Sequence, residues 1–381
     1  MLVDDSAIIR GLMQRALKQE AQIEIVATAI DGQTAIDSLR RVPADIVVLD
    51  IEMPGMDGLT ALPELLKTCP AARIIMASTL TARNAQISMR AMELGATDYL
   101  PKPSAANPNE VQDFYRQLIE KIKALAPRSS RPSPSFAAPS VPASATAPAK
   151  VAATSYASAP LARPSPLAAI AGNVVPLHTL HEALLHIPRV QAIAIASSTG
   201  GPQALLALFG ALKGRPLTVP LFITQHMPPN FTTILADHIG KTVGADCHEG
   251  KDGEEVRSGV IYLAPGDYHM VVERKGTHTH IRLNQNPPEN FCRPSADPML
   301  RSLSAIYGKY LLTIVLTGMG ADGAAGASEV VKGGGMVVAQ NEATCVVYGM
   351  PRAVVDARLA RAILPLDQMA PVITRAMGSA A

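Results

Sequence analysis

Two sets of residues in this 381-residue chain could do chemistry. In the second half, Ser198 stands in Ser197-Ser198-Thr199-Gly200-Gly201, where the apolar run 190–196 stops and a helical pattern over 202–212 begins. A hydroxyl at such a junction gains from the N–H groups at the helix start, which can stabilise an oxyanion. The two glycines let backbone and substrate approach closely. His226 ends Leu-Phe-Ile-Thr-Gln-His and is followed by Met227-Pro228-Pro229, which stops a strand. Asp322 lies in the glycine-rich stretch 316–323, Leu-Thr-Gly-Met-Gly-Ala-Asp-Gly, at another strand end. A serine is a weak nucleophile until a base accepts its proton, and the base needs an acid to fix its tautomer. Hydroxyl, imidazole and carboxylate at three strand ends of one sheet edge would meet that need. Each piece alone reads otherwise: the junction suits phosphate binding through its amides, a strand-end histidine is more often structural, and the aspartate could cap a turn.

The first half carries an acidic set. Asp4 and Asp5 follow a short apolar start, Asp50 ends Asp-Ile-Val-Val-Leu-Asp, and Lys102 follows Thr97–Pro101. Carboxylates converging on one edge repel unless a cation sits among them. Oxygen ligands with few dedicated protein groups suit Mg²⁺, which accepts phosphate oxygens. A lysine nearby would neutralise an added phosphoryl group.

Both sets need elements that bring distant residues together. Runs 23–29, 45–49 and 73–77 read as buried strands, and helical patterns at 7–18, 34–41, 59–66 and 82–94 lie between them. Continuous apolar strands alternating with helices imply a parallel sheet covered on both faces, a doubly wound α/β domain. Ligands then sit at the carboxyl ends of the strands. Runs 190–196, 220–224 and 311–316, with extended or hairpin stretches 258–266 and 268–283, imply a second α/β domain with a mainly parallel sheet. Between the two, nine Pro, nine Ser and eleven Ala fill 29 of the 40 positions from 127 to 166. So few large apolar groups cannot offset the entropy of ordering, and a disordered linker is expected.

The strings V-D-D-S-A-I-I-R, V-V-L-D-I-E-M-P-G-M-D-G-L, I-I-M-A-S and D-Y-L-P-K-P resemble a two-component receiver domain, which is flavodoxin-like. The resemblance implies Asp50 as phosphoacceptor and a Mg²⁺ ion held by Asp5, Asp50 and the backbone carbonyl of Glu52, with Asp4 assisting. It implies phosphoryl contacts from Ser78 and Lys102, Tyr99 as an aromatic switch, and a histidine kinase as partner. Receivers usually have several residues before the aspartate pair; here only Met1–Val3 precede it, which leaves a start upstream or a short first strand.

Downstream, ASSTGGP, TQHMPPNFT, YLAPGDYH, RPSADPML, LTGMGADG and CVVYGMPRAVV resemble the chemotaxis response-regulator protein-glutamate methylesterases, known as CheB. The resemblance implies hydrolysis of glutamate γ-methyl esters on the cytoplasmic helices of chemoreceptors, with glutamine deamidation. By it Ser198 is the nucleophile, His226 the base and Asp322 the orienting acid, with Met319 and Thr199 at the oxyanion; Ser197 is packing. It needs no cofactor for the ester chemistry. The expected division is a receiver over 1–126, a linker over 127–185 and a catalytic domain over 186–381.

The 34 Lys+Arg against 32 Asp+Glu leave a net charge of +2, which argues against bulk binding to nucleic acid or an anionic membrane. Four scattered cysteines form no C-x-x-C, so no zinc knuckle or disulfide framework is indicated. No apolar run nears the ~18 residues of a spanning helix, and no secretory signal opens the chain. A cytoplasmic protein is expected.

Overall fold

The computed structural model describes residues 1–79, 81–103, 108–126 and 189–378. The expected linker, 127–185, lies outside the described residues.

The first unit carries strands β1 (Leu2–Val3), β2 (Thr28–Ala29), β3 (Ile46–Asp50), β4 (Arg73–Ser78) and β5 (Asp98–Pro101). Helices α1 (Ala7–Leu17), α2 (Gly32–Arg41), α3 (Gly58–Thr68), α4 (Ala82–Glu93) and α5 (Pro108–Leu125) alternate with them. The sheet order is β2-β1-β3-β4-β5, every pair parallel. This is the doubly wound order with its switch point between β1 and β3. β3 is buried at all five positions, as a central strand covered by helices on both faces must be. One expected strand is corrected. Residues 23–29 shrink to β2, because β1 offers it only two residues, in register Leu2↔Thr28 and Val3↔Ala29. Ile23 and Ile25 pack against the core instead of pairing. Helix α5 has no counterpart among the expected elements.

The second unit carries β6 (Ala192–Ser197), α6 (Gly201–Ala211), β7 (Leu221–Gln225), α7 (Phe231–Val243), β8 (Cys247–Glu249) and β9 (Ile261–Leu263). An antiparallel hairpin follows, β10 (His269–Lys275) with β11 (His278–Asn284). Then come α8 (Ala296–Tyr307), β12 (Leu311–Val315), α9 (Ala324–Lys332), β13 (Met336–Gln340), α10 (Met350–Asp356), β14 (Ala362–Leu364) and α11 (Met369–Ala376). The seven-stranded sheet runs β14-β13-β12-β6-β7-β9-β8, and every pairing in it is parallel.

Central strand β6 shows how sequence sets the layers. Its side chains alternate, with Ile193 and Ile195 in one core and Ala192, Ala194 and Ala196 in the other. The alanine face lets α8 lie close to the sheet. Gly326 lets α9 reach α8 in turn, since a Cβ there would stand 2.6 Å from Leu300 Cβ. The start of α8 is thereby pressed toward the carboxyl ends of β6 and β12, where the candidate residues lie.

Candidate active site and phosphoacceptor site

At the receiver edge, β1 and β3 deliver Asp4 and Asp50 side by side, and the turn after β1 adds Asp5. One ligand oxygen from each of the three lies within 4.8 Å of the others. Lys102, just past β5, reaches Asp4 Oδ2 at 2.8 Å and Asp50 Oδ2 at 2.6 Å. Burial pushes the Asp50 carboxyl up to about 6, against the pull of Lys102. Three oxygen donors around one lysine suit a hard divalent cation, so the residues fit Mg²⁺. The carbonyl of Glu52 accepts no hydrogen bond among the described residues, which leaves it open to a cation. Ser78, at the end of β4, is buried with its hydroxyl 3.2 Å from that of Ser88.

In the second unit, β6 and β7 are neighbours with Ser197 opposite Gln225, so Ser198 and His226 leave adjacent strand ends. The N–H of His226 donates to the Ser197 carbonyl at 3.2 Å. Gly200 takes a left-handed backbone, φ 75°, at the turn into α6. At Gly201 a Cβ would sit 1.9 Å from Gln225 Oε1. That clearance matters, because Gln225 Nε2 donates to the Ser198 carbonyl at 2.9 Å and Oε1 accepts from the Ser197 hydroxyl at 2.7 Å. Ser197 is therefore a buried packing residue, with its hydroxyl already engaged.

His226 Nε2 and Asp322 Oδ2 lie 2.6 Å apart. Asp322 also accepts from the Ser295 hydroxyl at 2.6 Å, the Ala296 N–H at 2.6 Å, the Asp297 N–H at 3.2 Å and the Asn290 amide at 3.0 Å. It thus sits on the N-terminus of α8, where free N–H groups favour an anion. Burial would raise its pKa, but the imidazole and these donors hold it well below the usual carboxylate range. With Nε2 facing Asp322, Nδ1 is the other ring nitrogen. The sulfur of Cys292 lies 3.3 Å from Nδ1. Burial alone would depress the imidazole, but Cys292 and Asp322 together push it up to about 10. The Ser198 hydroxyl makes no hydrogen bond to a protein group among the described residues, so it is not engaged with the imidazole, although the two residues leave adjacent strand ends. The N–H groups of Thr199 and Met319 likewise donate to no protein acceptor among them, as an oxyanion site requires.

The first unit lies over this crevice. Asp98, from β5, accepts the Thr199 hydroxyl at 2.9 Å while Lys121 pairs with the same carboxylate oxygen. Tyr99 stacks on Phe231 with ring centroids 4.8 Å apart, and its hydroxyl is 3.5 Å from the His226 carbonyl. Gln203 Nε2 donates to the Ala96 carbonyl at 2.6 Å, and Glu93 meets His238 at 3.2 Å. Burial, then the Asp98 charge, raises the Tyr99 phenol.

Several participants carried no legible role in the sequence. Cys292, Asn290 and Ser295 flank or lie in RPSADPML, a string that singled out the region without saying what its residues touch. Asp98 stood next to the expected switch Tyr99 and passed unremarked. His269, by contrast, is spent on packing: Nδ1 accepts the Ser295 N–H at 3.2 Å, and Nε2 faces the Pro287 carbonyl at 3.2 Å.

The family model described as CheB methylesterase matches residues 193–373, and that described as response regulator receiver domain matches 1–112. A protein-glutamate methylesterase/protein-glutamine glutaminase of Paramagnetospirillum magneticum is 49% identical, covering 98% of this chain and 95% of that one. One of Rhodospirillum centenum, from its group 2 operon, is also 49% identical, covering 98% and 93%. The crystal structure of the CheB methylesterase catalytic domain of Thermotoga maritima is 35% identical, covers 49% of this chain and 98% of that one, and has a TM-score of 0.47. With 49% identity to two such relatives over 98% of its length, and a receiver in front of the esterase unit, the chain belongs to the CheB family of chemotaxis protein-glutamate methylesterases.

Proposed function

We propose that the chain is a phosphorylation-activated protein-glutamate methylesterase. It hydrolyses γ-methyl esters on chemoreceptor helices, releasing methanol, and deamidates receptor glutamines. The reading rests above all on one observation, the 2.6 Å contact between His226 Nε2 and Asp322 with Ser198 on the adjacent strand end.

Ser198 Oγ attacks the ester carbonyl while His226 Nδ1 takes its proton. The developing oxyanion lies at the N–H groups of Thr199 and Met319. Nδ1 returns the proton to the departing methoxide, and water then hydrolyses the acyl-serine by the same base. Asp322 keeps the proton on Nε2 and stabilises the imidazolium. For a glutamine side chain the steps are the same, with ammonia leaving. No metal or cofactor takes part in this chemistry.

The receiver sets access. Asp50 takes the phosphoryl group from a histidine kinase. Asp5, Asp50 and the Glu52 carbonyl, with Asp4 in support, would hold Mg²⁺, which supplies neutralising charge for the transfer. Lys102 and Ser78 hold the transferred group, and the shift reaches Tyr99, loosening its stack on Phe231. The division we favour is a receiver over 1–126 and a catalytic unit over 186–381; the matched segments, 1–112 and 193–373, fall inside these bounds. No described helix is long and apolar enough to cross a membrane; a cytoplasmic enzyme without a nucleic-acid partner agrees with the near-neutral charge. The test is methanol release from methylated receptor by the phosphorylated chain: Ser198→Ala, with the fold intact, should lose roughly 10³-fold or more.

A further inference from the structure

Between Asp322 and His226 runs a strained turn that no step above uses. Glu289 and Cys292 exchange backbone hydrogen bonds, N–H of 289 to carbonyl of 292 at 3.2 Å and the reverse at 2.9 Å. The two residues between them both have positive φ, 53° at Asn290 and 61° at Phe291. Asparagine tolerates that backbone; the second position of such a turn favours glycine, and a phenylalanine there is an outlier. The turn is fastened on both sides to the reacting groups. The Asn290 amide donates to Asp322 at 3.0 Å and to Asp297 at 2.9 Å, and Cys292 lies 3.3 Å from His226 Nδ1. Phe291, between these anchors, is 77% exposed. Strain of this kind persists where the surroundings over-determine it, and it clusters at functional sites.

A second exposed aromatic residue, Tyr268, is tied to the same segment through its neighbour Asp267. Tyr268 follows Asp267, whose N–H donates to the Arg293 carbonyl at 3.1 Å and whose carboxylate pairs with the Arg293 guanidinium at 2.6 Å. From the receiver side, the Arg116 guanidinium of α5 lies 5.0 Å from the centre of the Phe291 ring. The Phe291 ring thus adjoins the surface the receiver covers.

We propose that Phe291 is the contact residue for the receptor helix that presents the ester. This rests on the methylesterase reading. A γ-ester is separated from its own backbone by two methylene groups, so the helix carrying it must come down to the mouth of the crevice before its carbonyl reaches Ser198. The residue standing at that mouth, one position from the His226 contact, is an aromatic ring held out into solvent. It packs on the apolar side of an amphipathic helix, and Arg116 lies over the same ring while the domains are docked, so receiver and receptor compete for it.

The test uses the full chain with Mg²⁺ and acetyl phosphate as phosphodonor. It compares kcat/KM for methylated receptor with that for a small aryl acetate. Phe291→Gly deletes the ring while suiting the left-handed backbone, so the turn is kept. The ratio of receptor to aryl-acetate kcat/KM should fall about tenfold or more, through KM for receptor, and Phe291→Leu should restore most of it. An unchanged ratio in Phe291→Gly, or a parallel loss on both substrates, overturns the contact. Absence of methanol release by the wild-type chain would instead sink the activity reading, and the contact with it.

Discussion

Thr199, one residue beyond the proposed nucleophile, donates its hydroxyl to the receiver's Asp98 at 2.9 Å, and both side chains are buried. Receiver and catalytic unit are thus joined by a charged hydrogen bond one residue from the proposed nucleophile, in addition to the cover that the receiver provides. A charge-assisted bond of this kind is worth about 1.5–3 kcal/mol. Asp98→Asn keeps the shape but removes the charge that Lys121 and Thr199 share. Methanol release without phosphodonor should then rise about tenfold, toward the phosphorylated rate; an unchanged basal rate would show that the bond does not hold the domains.

The proposed base, His226, carries a pH signature. Only neutral imidazole accepts the serine proton, so a pKa pushed up to about 10 places the acid limb of the rate profile far above the ordinary histidine range. The groups facing the ring are Asp322 and Cys292, with the Tyr99 phenol at its backbone carbonyl. Cys292→Ala removes one of the two that raise the pKa, and the acid limb of kcat/KM should move to lower pH by a unit or more. The sign for stability is the same as for any raised base. The contribution is full below pH about 6.5 and is lost as pH rises through 10, so thermal stability should fall over that window less steeply in Cys292→Ala. A limb that stays in place would remove Cys292 from the account.

Asp322 does two jobs, and one substitution separates them. In Asp322→Asn the amide cannot accept from the imidazole, Ser295, Ala296 and Asn290 together. Turnover should drop by about 10⁴-fold, as for triads generally. Thermal stability should drop as well, because the α8 N–H donors then face an NH₂ group. Loss of turnover with no loss of stability would mean that α8 does not depend on this carboxylate.

Gly201 offers a packing test. A methyl there would lie 1.9 Å from Gln225 Oε1 and 2.9 Å from Ser197 Cβ. Gly201→Ala should destabilise the catalytic unit by about 1–3 kcal/mol. It should also slow ester hydrolysis by displacing the glutamine that holds the Ser198 carbonyl; denaturant melts and rates on a small ester check both.

How far the sequence reached follows from what each residue depends on. Asp50, Ser198 and His226 were legible because parallel strands end at one edge, and a polar residue closing a buried apolar run marks that edge. Ser198 was separable from Ser197 as the serine directly before Thr-Gly-Gly, and the engagement of the Ser197 hydroxyl with Gln225 agrees with that. The extent of β2 was not legible, since pairing with a two-residue β1 overrides the apolar pattern of 23–29. Nor was the second neighbour of the His226 ring, since Cys292 is 66 positions away in a turn without periodicity, nor the partner of Thr199, since Asp98 is 101 positions from it. Such contacts arise only when α8, pressed down on the alanine face of β6, and the receiver are both in place.

The central claim is that Ser198, activated by His226, is the nucleophile. The most direct measurement is covalent labelling of the full chain, phosphorylated with acetyl phosphate and Mg²⁺, by a fluorophosphonate, with the adduct located by peptide mass spectrometry. The label should map to Ser198, vanish in Ser198→Ala, and slow by orders of magnitude in His226→Gln. An adduct on Ser197 or Cys292, or labelling at Ser198 indifferent to the imidazole, would contradict it.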